Sequence, residues 1–478
     1  MRHSDQEAVA AADFEFSVDD AGQLSALVRG ERLHIDGACH SYAVDDTRMT
    51  TEFGTVLPAV LADFVDLALA VYVADRLALR RPPHAERYPL HWTRQLRLRL
   101  PMRQPEFWRD KTLTQAIATV LWQFTEDDWQ LEFVPREGGY RRSETQAALF
   151  PLGPEPPVAA ALFSGGLDSF AGLCRDIESA LARSFVLIAF GTNIRMHDVR
   201  DKLVKELRTL YSQRLQYIEV PFRLSRNGRS YHDDERTQRS RGFVYLAIGA
   251  VTAVMAGSQS LAMYENGVGC INLPYTAAQL GAQNSRAARP DAVAAMADLL
   301  SMVMPTNAPK LRLPCLFSTK GELCAGLRRP EIIGLIHLTM SCDGFPLRQP
   351  GKPQCGVCTS CVLRQQALYG AGLHSADAID SYSVDLLGAE LPAAEKLYPL
   401  RAMVDQVATL KRALASPDPW RALVHQYPEL ATVAACCQST QQDPVAAKGS
   451  LVRLYQRYCD EWSQFPIRLY EPLVSSAT

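Results

Sequence analysis

The chain has 478 residues, more than a single hydrophobic core usually serves, and a prior of about 150 residues per domain predicts roughly three units. Hydrophobic residues make up 47% and charged residues 21%, which is the composition of a globular protein and excludes a disordered one. A formal net charge of −2 provides no global field toward nucleic acid, so stable nucleic-acid binding is not expected.

In chain order, residues 1–12 read as a frayed terminus, and the opening "MRHSDQEAVAAADFEF" lacks the apolar core of a signal peptide. The most apolar long stretch, Val56 to Leu79, carries Asp63, Asp66 and Asp75, which are costly in a bilayer. It therefore predicts a buried amphipathic helix, with no membrane association. Arg94, Arg97 and Arg99 read as a solvated face. "LRLRLPM" (Leu96–Met102) alternates as a half-buried strand, Thr112–Phe124 as a helix, and "WQLEFVP" (Trp129–Pro135) as a second strand. The tryptophans of this segment, Trp92, Trp108, Trp122 and Trp129, are expected in a core. "PLGPEPP" at 151–157 is a breaker run, which sets an N-terminal α+β accessory domain at 1–152.

Beyond it, Val158–Phe163, Ser184–Gly191, Leu215–Phe222 and Ser260–Gly267 are short apolar runs separated by helix-length segments. Continuous apolar strands alternating with helices predict an α/β parallel sheet covered on both faces, spanning 153–375. The Arg-rich stretch 223–242 follows the third strand and reads equally as a solvated loop or as a lid or docking surface beside a ligand. After Ser375, Leu400, Met403, Val404, Val407, Leu410 and Leu414 recur at helical spacing, as do apolar residues of 451–462. A helical extension over 376–478, with no chemistry of its own, is expected.

The first of these strands runs into Ser164-Gly165-Gly166-Leu167-Asp168-Ser169 and then a helical pattern. Paired glycines let backbone approach a ligand, and the following helix aims unpaired N–H groups and its positive dipole end at the same space. A serine-capped turn explains Ser169 but not the two glycines with the aspartate. Further on, Cys342 is followed by Cys355, Cys358 and Cys361, two overlapping Cys-x-x-Cys steps with a fourth thiol upstream. Four thiolates form the closed tetrahedral set of structural Zn2+; redox-active thiols or an iron–sulfur cluster are the alternatives. Cysteines at 39, 174, 270, 315, 324, 436, 437 and 459 read as core packing, and with the cluster at metal spacing a reducing, cytoplasmic setting is expected.

The loop Ser164–Ser169 resembles the PP-loop of the N-type ATP pyrophosphatases, and its combination with Cys-x12-Cys-Gly-x-Cys-x-Ser-Cys is similar to the QueC family of 7-cyano-7-deazaguanine synthases. "LPCLFSTKGEL" resembles that family's Lys-x-Glu segment at Lys320 and Glu322, and "SRGFVYLAIGA" its Arg-Asn segment at Arg241 and Phe243, with Gly242 in place of Asn. The family's substrate stretch is replaced by "ENGVGCINLP", the second strand ends in "FGTNIRMHD", and about 150 residues precede the core. With "DRLALR", "HWTRQLRLRLP" and "DDWQLEF", this looks like the QueC-like proteins of bacterial antiviral operons, of the QatC type. The resemblance implies an ATP pyrophosphatase core with ATP held by Ser164, Gly165, Gly166, Leu167, Asp168, Ser169 and Arg241. It also implies Mg2+ at Asp168, catalytic roles for Asp168, Ser169 and Lys320, and Zn2+ on the four cysteines.

The activity implied is adenylation of a 7-deazaguanine carboxylate, followed by amide formation on an amine of a partner protein from the same operon. Nitrile synthesis, thiolation or acylation of a tRNA base, and a nucleotide-binding scaffold without turnover are the rival expectations. The accessory domain is the place expected to hold the partner chain.

Overall fold

The computed structural model describes residues 11–81, 93–147, 158–179, 183–191, 194–211, 214–225, 233–237, 239–276, 286–344, 351–388, 394–440 and 444–467. Ten strands lie in one sheet: β1 (Ala11–Val18), β2 (Leu24–Gly30), β3 (Cys39–Val44), β4 (Gln95–Met102), β5 (Asp128–Pro135), β6 (Val158–Leu162), β7 (Ser184–Gly191), β8 (Leu215–Leu224), β9 (Ser260–Met263) and β10 (Lys310–Arg312). Their spatial order is β10-β9-β6-β7-β8-β3-β2-β1-β4-β5. From β10 to β8 every pairing is parallel. β3 joins β8 antiparallel, with Val44 opposite Phe222, and continues through β2 to β1 before β4 and β5 add in parallel. The protein is a mixed α/β fold on a mostly parallel sheet.

The predicted strands β4 to β9 all form. Ser260–Gly267 shortens to β9 because Asn266 caps a following short helix, Gly267–Ile271. β1 to β3 and β10 are not among the predicted strands, although β1 carries the same apolar–polar alternation as β4. In β7 every residue from Phe185 to Phe190 is buried, as a strand covered on both faces requires. β1 and β4 instead alternate, leaving one face of the N-terminal half in solvent. Arg99 crosses that face to Glu15 at 3.0 Å and Glu132 at 3.2 Å, and Arg97 to Asp13 at 3.6 Å, the solvated ladder expected of them.

Arg94 corrects that expectation. It is fully buried just ahead of β4, and its guanidinium bonds the carboxylates of Asp75 and Asp127, each at 2.6 Å. The helix Ala59–Leu77 likewise departs from an amphipathic pattern, since every residue from Leu61 to Leu77 is buried. Arginines take the place of water around its aspartates: Arg103 bonds Asp63 and Asp66, and Arg141 bonds Asp66.

The two sheet faces carry two cores. One unites Phe64, Trp108 and Phe133 with Val186, Phe222, Phe243 and Met296, under the helices Ala59–Leu77, Lys111–Thr125, Arg241–Met255 and Pro290–Val303. The other packs alternate residues of β6 to β8 against the helices Leu167–Ser179 and Ile194–Tyr211. The expected boundary at 151–157 lies outside the described residues, and the chain on its two sides shares one sheet and the first core. Trp108 and Trp129 are core residues; Trp122 is half exposed, and Trp92 lies outside the described residues.

The expected helical extension forms as Tyr398–Leu414, Pro419–Gln426, Glu429–Thr440 and Pro444–Gln464, in a third apolar cluster with Ile271, Leu316 and Val362. Among the described residues no helix is long and apolar enough to cross a membrane.

Candidate functional site

Strand order reverses at β6, with β7 on one side and β9 on the other. Open parallel sheets bind ligands in the crevice this reversal opens beyond the carboxyl ends of the strands. The loop from β6 into the helix Leu167–Ser179 stands there. Gly165 has φ +78°, and a Cβ on it would lie 2.9 Å from Arg200 Cγ, so this turn needs glycine. Gly166 N–H donates to Ser164 Oγ at 3.2 Å, Ser169 Oγ donates to the Gly166 carbonyl at 2.9 Å, and the two serine oxygens are 3.1 Å apart. From outside, Met340 N–H holds the Gly165 carbonyl at 3.0 Å. The first-turn N–H groups of the helix have no intrahelical acceptor, and its positive dipole end faces the crevice.

A cavity of about 510 Å3 fills this crevice, lined by Ser164, Gly166, Leu167, Asp168 and Ser169 from the loop, and by Glu265, Asn266 and Lys320 opposite. Lys320 begins the helix Lys320–Ala325, whose capping box pairs the Thr319 hydroxyl with Glu322 N–H and the Glu322 carboxylate with Thr319 N–H. That cap sets the Lys320 ammonium 2.8 Å from Asp168 Oδ2. Asn266 Nδ2 donates to Asp168 Oδ1 at 3.3 Å and to Glu265 Oε1 at 3.0 Å. Burial alone depresses the Lys320 ammonium, but Asp168 and Glu265 outweigh it and hold the group charged well above its ordinary range. Burial, then the Asp168 charge, pushes the Glu265 carboxyl up to about 8, against the pull of Lys320. The arrangement presents helix N–H groups, two hydroxyls and an ammonium to an anion, with the Asp168 carboxylate and the largely protonated Glu265 carboxyl beside them.

Glu265 and Asn266 were not singled out from the sequence. They sit in the "ENGVGCINLP" stretch, but only the pairing of β9 beside β6 sets them opposite Asp168. Glu322, matched to the family's Lys-x-Glu segment, is the capping partner of Thr319 and pairs with Arg457 at 2.7 Å. Arg241 lies in the first turn of Arg241–Met255, over the ring of Tyr245, whose hydroxyl donates to the Phe190 carbonyl near the end of β7. Arg241 is therefore at the β7 side of the loop and outside the described cavity lining.

Of the stretch 223–242, residues 226–232 and 238 lie outside the described ones. Its middle is anchored on the C-terminal end of the helix Ala59–Leu77 and the chain just after it: Asp234 pairs with Arg76 at 2.8 Å, and Glu235 accepts from Arg80 N–H at 2.8 Å.

Cys342, Cys355, Cys358 and Cys361 converge with all four sulfurs within 4.8 Å of one another. A tetrahedron with Zn–S bonds of about 2.3 Å has sulfur–sulfur edges of about 3.8 Å, and Cys355 and Cys361 stand 4.0 Å apart. Cys355 N–H points at Cys342 Sγ (3.5 Å) and Cys358 N–H at Cys355 Sγ (3.3 Å), the donors that stabilise thiolates. Gly356 has φ +80°, and a Cβ there would strike the Val384 carbonyl. The cluster fits a metal ion such as Zn2+, and four protein ligands leave no position for water. Of the remaining cysteines, 174, 270, 315, 324, 437 and 459 are core residues as expected. Cys39 is exposed on the solvent face of β3, and Cys436 is half-buried.

The cluster also builds the crevice. Asp343, next to Cys342, accepts from Ser360 Oγ at 2.5 Å, and both line the cavity. No protein-family model matches this chain, and no curated protein matches it.

Proposed function

We propose that the protein is an ATP-dependent ligase that adenylates a carboxylate and passes the acyl group to an amine, releasing AMP and pyrophosphate. The observation that carries this reading is the Ser164–Ser169 loop at the strand-order reversal, with Lys320 ion-paired to Asp168 across the crevice. N–H groups of the loop and helix, with the hydroxyls of Ser164 and Ser169, suit the β- and γ-phosphates of ATP. Asp168 is the residue to hold Mg2+, which when bound neutralises charge building on the leaving pyrophosphate; Lys320 brings a fixed positive charge to the same side. Arg241 joins the nucleotide site by the QueC-like resemblance. The four cysteines would hold Zn2+ as a structural ion that shapes the wall bearing Asp343 and Ser360.

The substrate class comes from the resemblance: a 7-deazaguanine carboxylic acid, with the acceptor amine on a partner protein of the same operon in antiviral defence. The test supplies ATP, Mg2+, 7-carboxy-7-deazaguanine and either ammonia or co-expressed operon proteins, then resolves products by mass spectrometry. AMP with pyrophosphate and a partner heavier by one deazaguanine acyl group is the expected result. Free 7-cyano-7-deazaguanine with unmodified partners would make the protein a nitrile-forming synthase. ATP binding without any nucleotide turnover would make it a scaffold.

A further inference from the structure

We infer that Glu461, on the C-terminal helix Pro444–Gln464, is a positioning residue that sets Lys320 against Asp168 and makes the helical tail a working part of the crevice. The inference rests on the adenylation reading for its consequence, though not for its geometry. The Thr319 hydroxyl, which caps the helix begun by Lys320, donates to Glu461 Oε1 while accepting Glu322 N–H at 3.0 Å. Gln366 Nε2, on the helix Thr359–Gly370 that carries Cys361, donates to the other Glu461 oxygen at 3.3 Å. One carboxylate thus ties the lysine helix to the metal-cluster helix. Contact is direct, because a Cβ on Gly321 would come within 2.6 Å of Glu461 Oε1. One turn earlier, Arg457 donates to the Phe317 carbonyl at 2.7 Å and pairs with Glu322. The same helix therefore grips the chain on both sides of Lys320. Burial raises the Glu461 carboxyl, and the bonds from Thr319 and Gln366 oppose that rise.

Removing this carboxylate frees the Thr319 hydroxyl and leaves a gap under Gly321, so the first turn shifts and the Lys320–Asp168 pair loosens. Glutamine keeps an acceptor for Thr319 and fills the gap. The experiment compares wild type, Glu461→Gln and Glu461→Ala by two readouts. The first is the rate of Lys320 acetylation by N-hydroxysuccinimidyl acetate, followed by peptide mass spectrometry without any substrate. The second is the kinetics of pyrophosphate release. Glu461→Ala should acetylate Lys320 several-fold faster, and its kcat should fall about tenfold with a smaller change in the KM for ATP. Glu461→Gln should keep most of the protection and most of the rate. Wild-type protection of Lys320 in Glu461→Ala overturns the inference. So does equal loss in both variants accompanied by an equal fall in Tm, the mark of a merely structural role. If the wild type releases no pyrophosphate with any acid, the adenylation reading fails, and the acetylation rates alone decide the positioning.

Discussion

Arg94 makes five hydrogen bonds within the fully buried pocket around it: its guanidinium to both the carbonyl and carboxylate of Asp75, to the Ala78 carbonyl and to Asp127, and its N–H to Asp127. Arg80 reaches Asp127 from the other side at 2.9 Å. Asp127→Ala removes the carboxylate shared by two buried guanidinium groups and should cost about 3–5 kcal/mol in urea unfolding, whereas Arg99→Ala on the solvated face should leave the urea midpoint nearly unchanged. Burial raises Asp66 and Asp75, but Arg141 and Arg103 around the first, and Arg94 and Arg80 around the second, win and hold both carboxyls below the ordinary carboxylate value. Groups depressed on folding contribute fully above the unfolded value and lose that contribution as pH falls through the folded one. The stability these two carboxylates contribute should therefore persist through the ordinary carboxylate range and fade only in stronger acid, as circular dichroism during acid titration of wild type and Asp75→Asn would read. In the crevice, Asp168→Asn preserves shape but removes the charge facing Lys320, and pyrophosphate release should fall by about a hundredfold or more. Unchanged release in a folded variant would rule out the assigned role of Asp168.

At the scale of elements, two short segments carry the site. The β6–helix loop depends on the left-handed turn at Gly165, where a side chain costs about 1–2 kcal/mol in backbone strain and also meets Arg200. Gly165→Val should therefore lose the thermal shift that ATP with Mg2+ produces in the wild type. Gly166 has slightly more room, since its added Cβ would meet Ser164 Oγ at 3.3 Å and the Met340 carbonyl at 3.4 Å. The metal cluster is the second segment. Binding at a closed thiolate site is coupled to folding, so Cys358→Ser should lower zinc content and Tm together. A colourless, metal-free wild type that melts like the variant argues against the site, and a brown protein containing iron makes it a cluster.

At the scale of the molecule, the leading segment and the parallel strands are one body. Tyr72 stacks edge-on against Phe190 and Phe222, Phe64 against Phe243, and β3 covers the edge of β8. A chain lacking residues 1–150 would expose that edge and the apolar face beneath the helix Ala59–Leu77. Such a truncation should be recovered insoluble or as a molten state binding a hydrophobic dye; a cooperative unfolding transition in the truncated chain would refute the shared core.

What the sequence determined by itself is local. Residue spacing was enough for the helical character of the tail, for β4 to β9 and for the cysteine cluster, because periodicity and metal-ligand spacing act over short stretches of chain. The solvated arginine ladder was half legible: Arg97 and Arg99 alternate on a strand, but Arg94 stands outside it, and nothing nearby in the chain announces Asp75 and Asp127. Tertiary structure alone decided the pairings between distant segments. It set β9 beside β6 so that Glu265 faces Asp168, joined β3 to β8 so that the leading segment shares the core, and brought Glu461 to Thr319 across 142 residues. Such contacts depend on which surfaces bury one another once the sheet is assembled, and no periodicity within a single element encodes them.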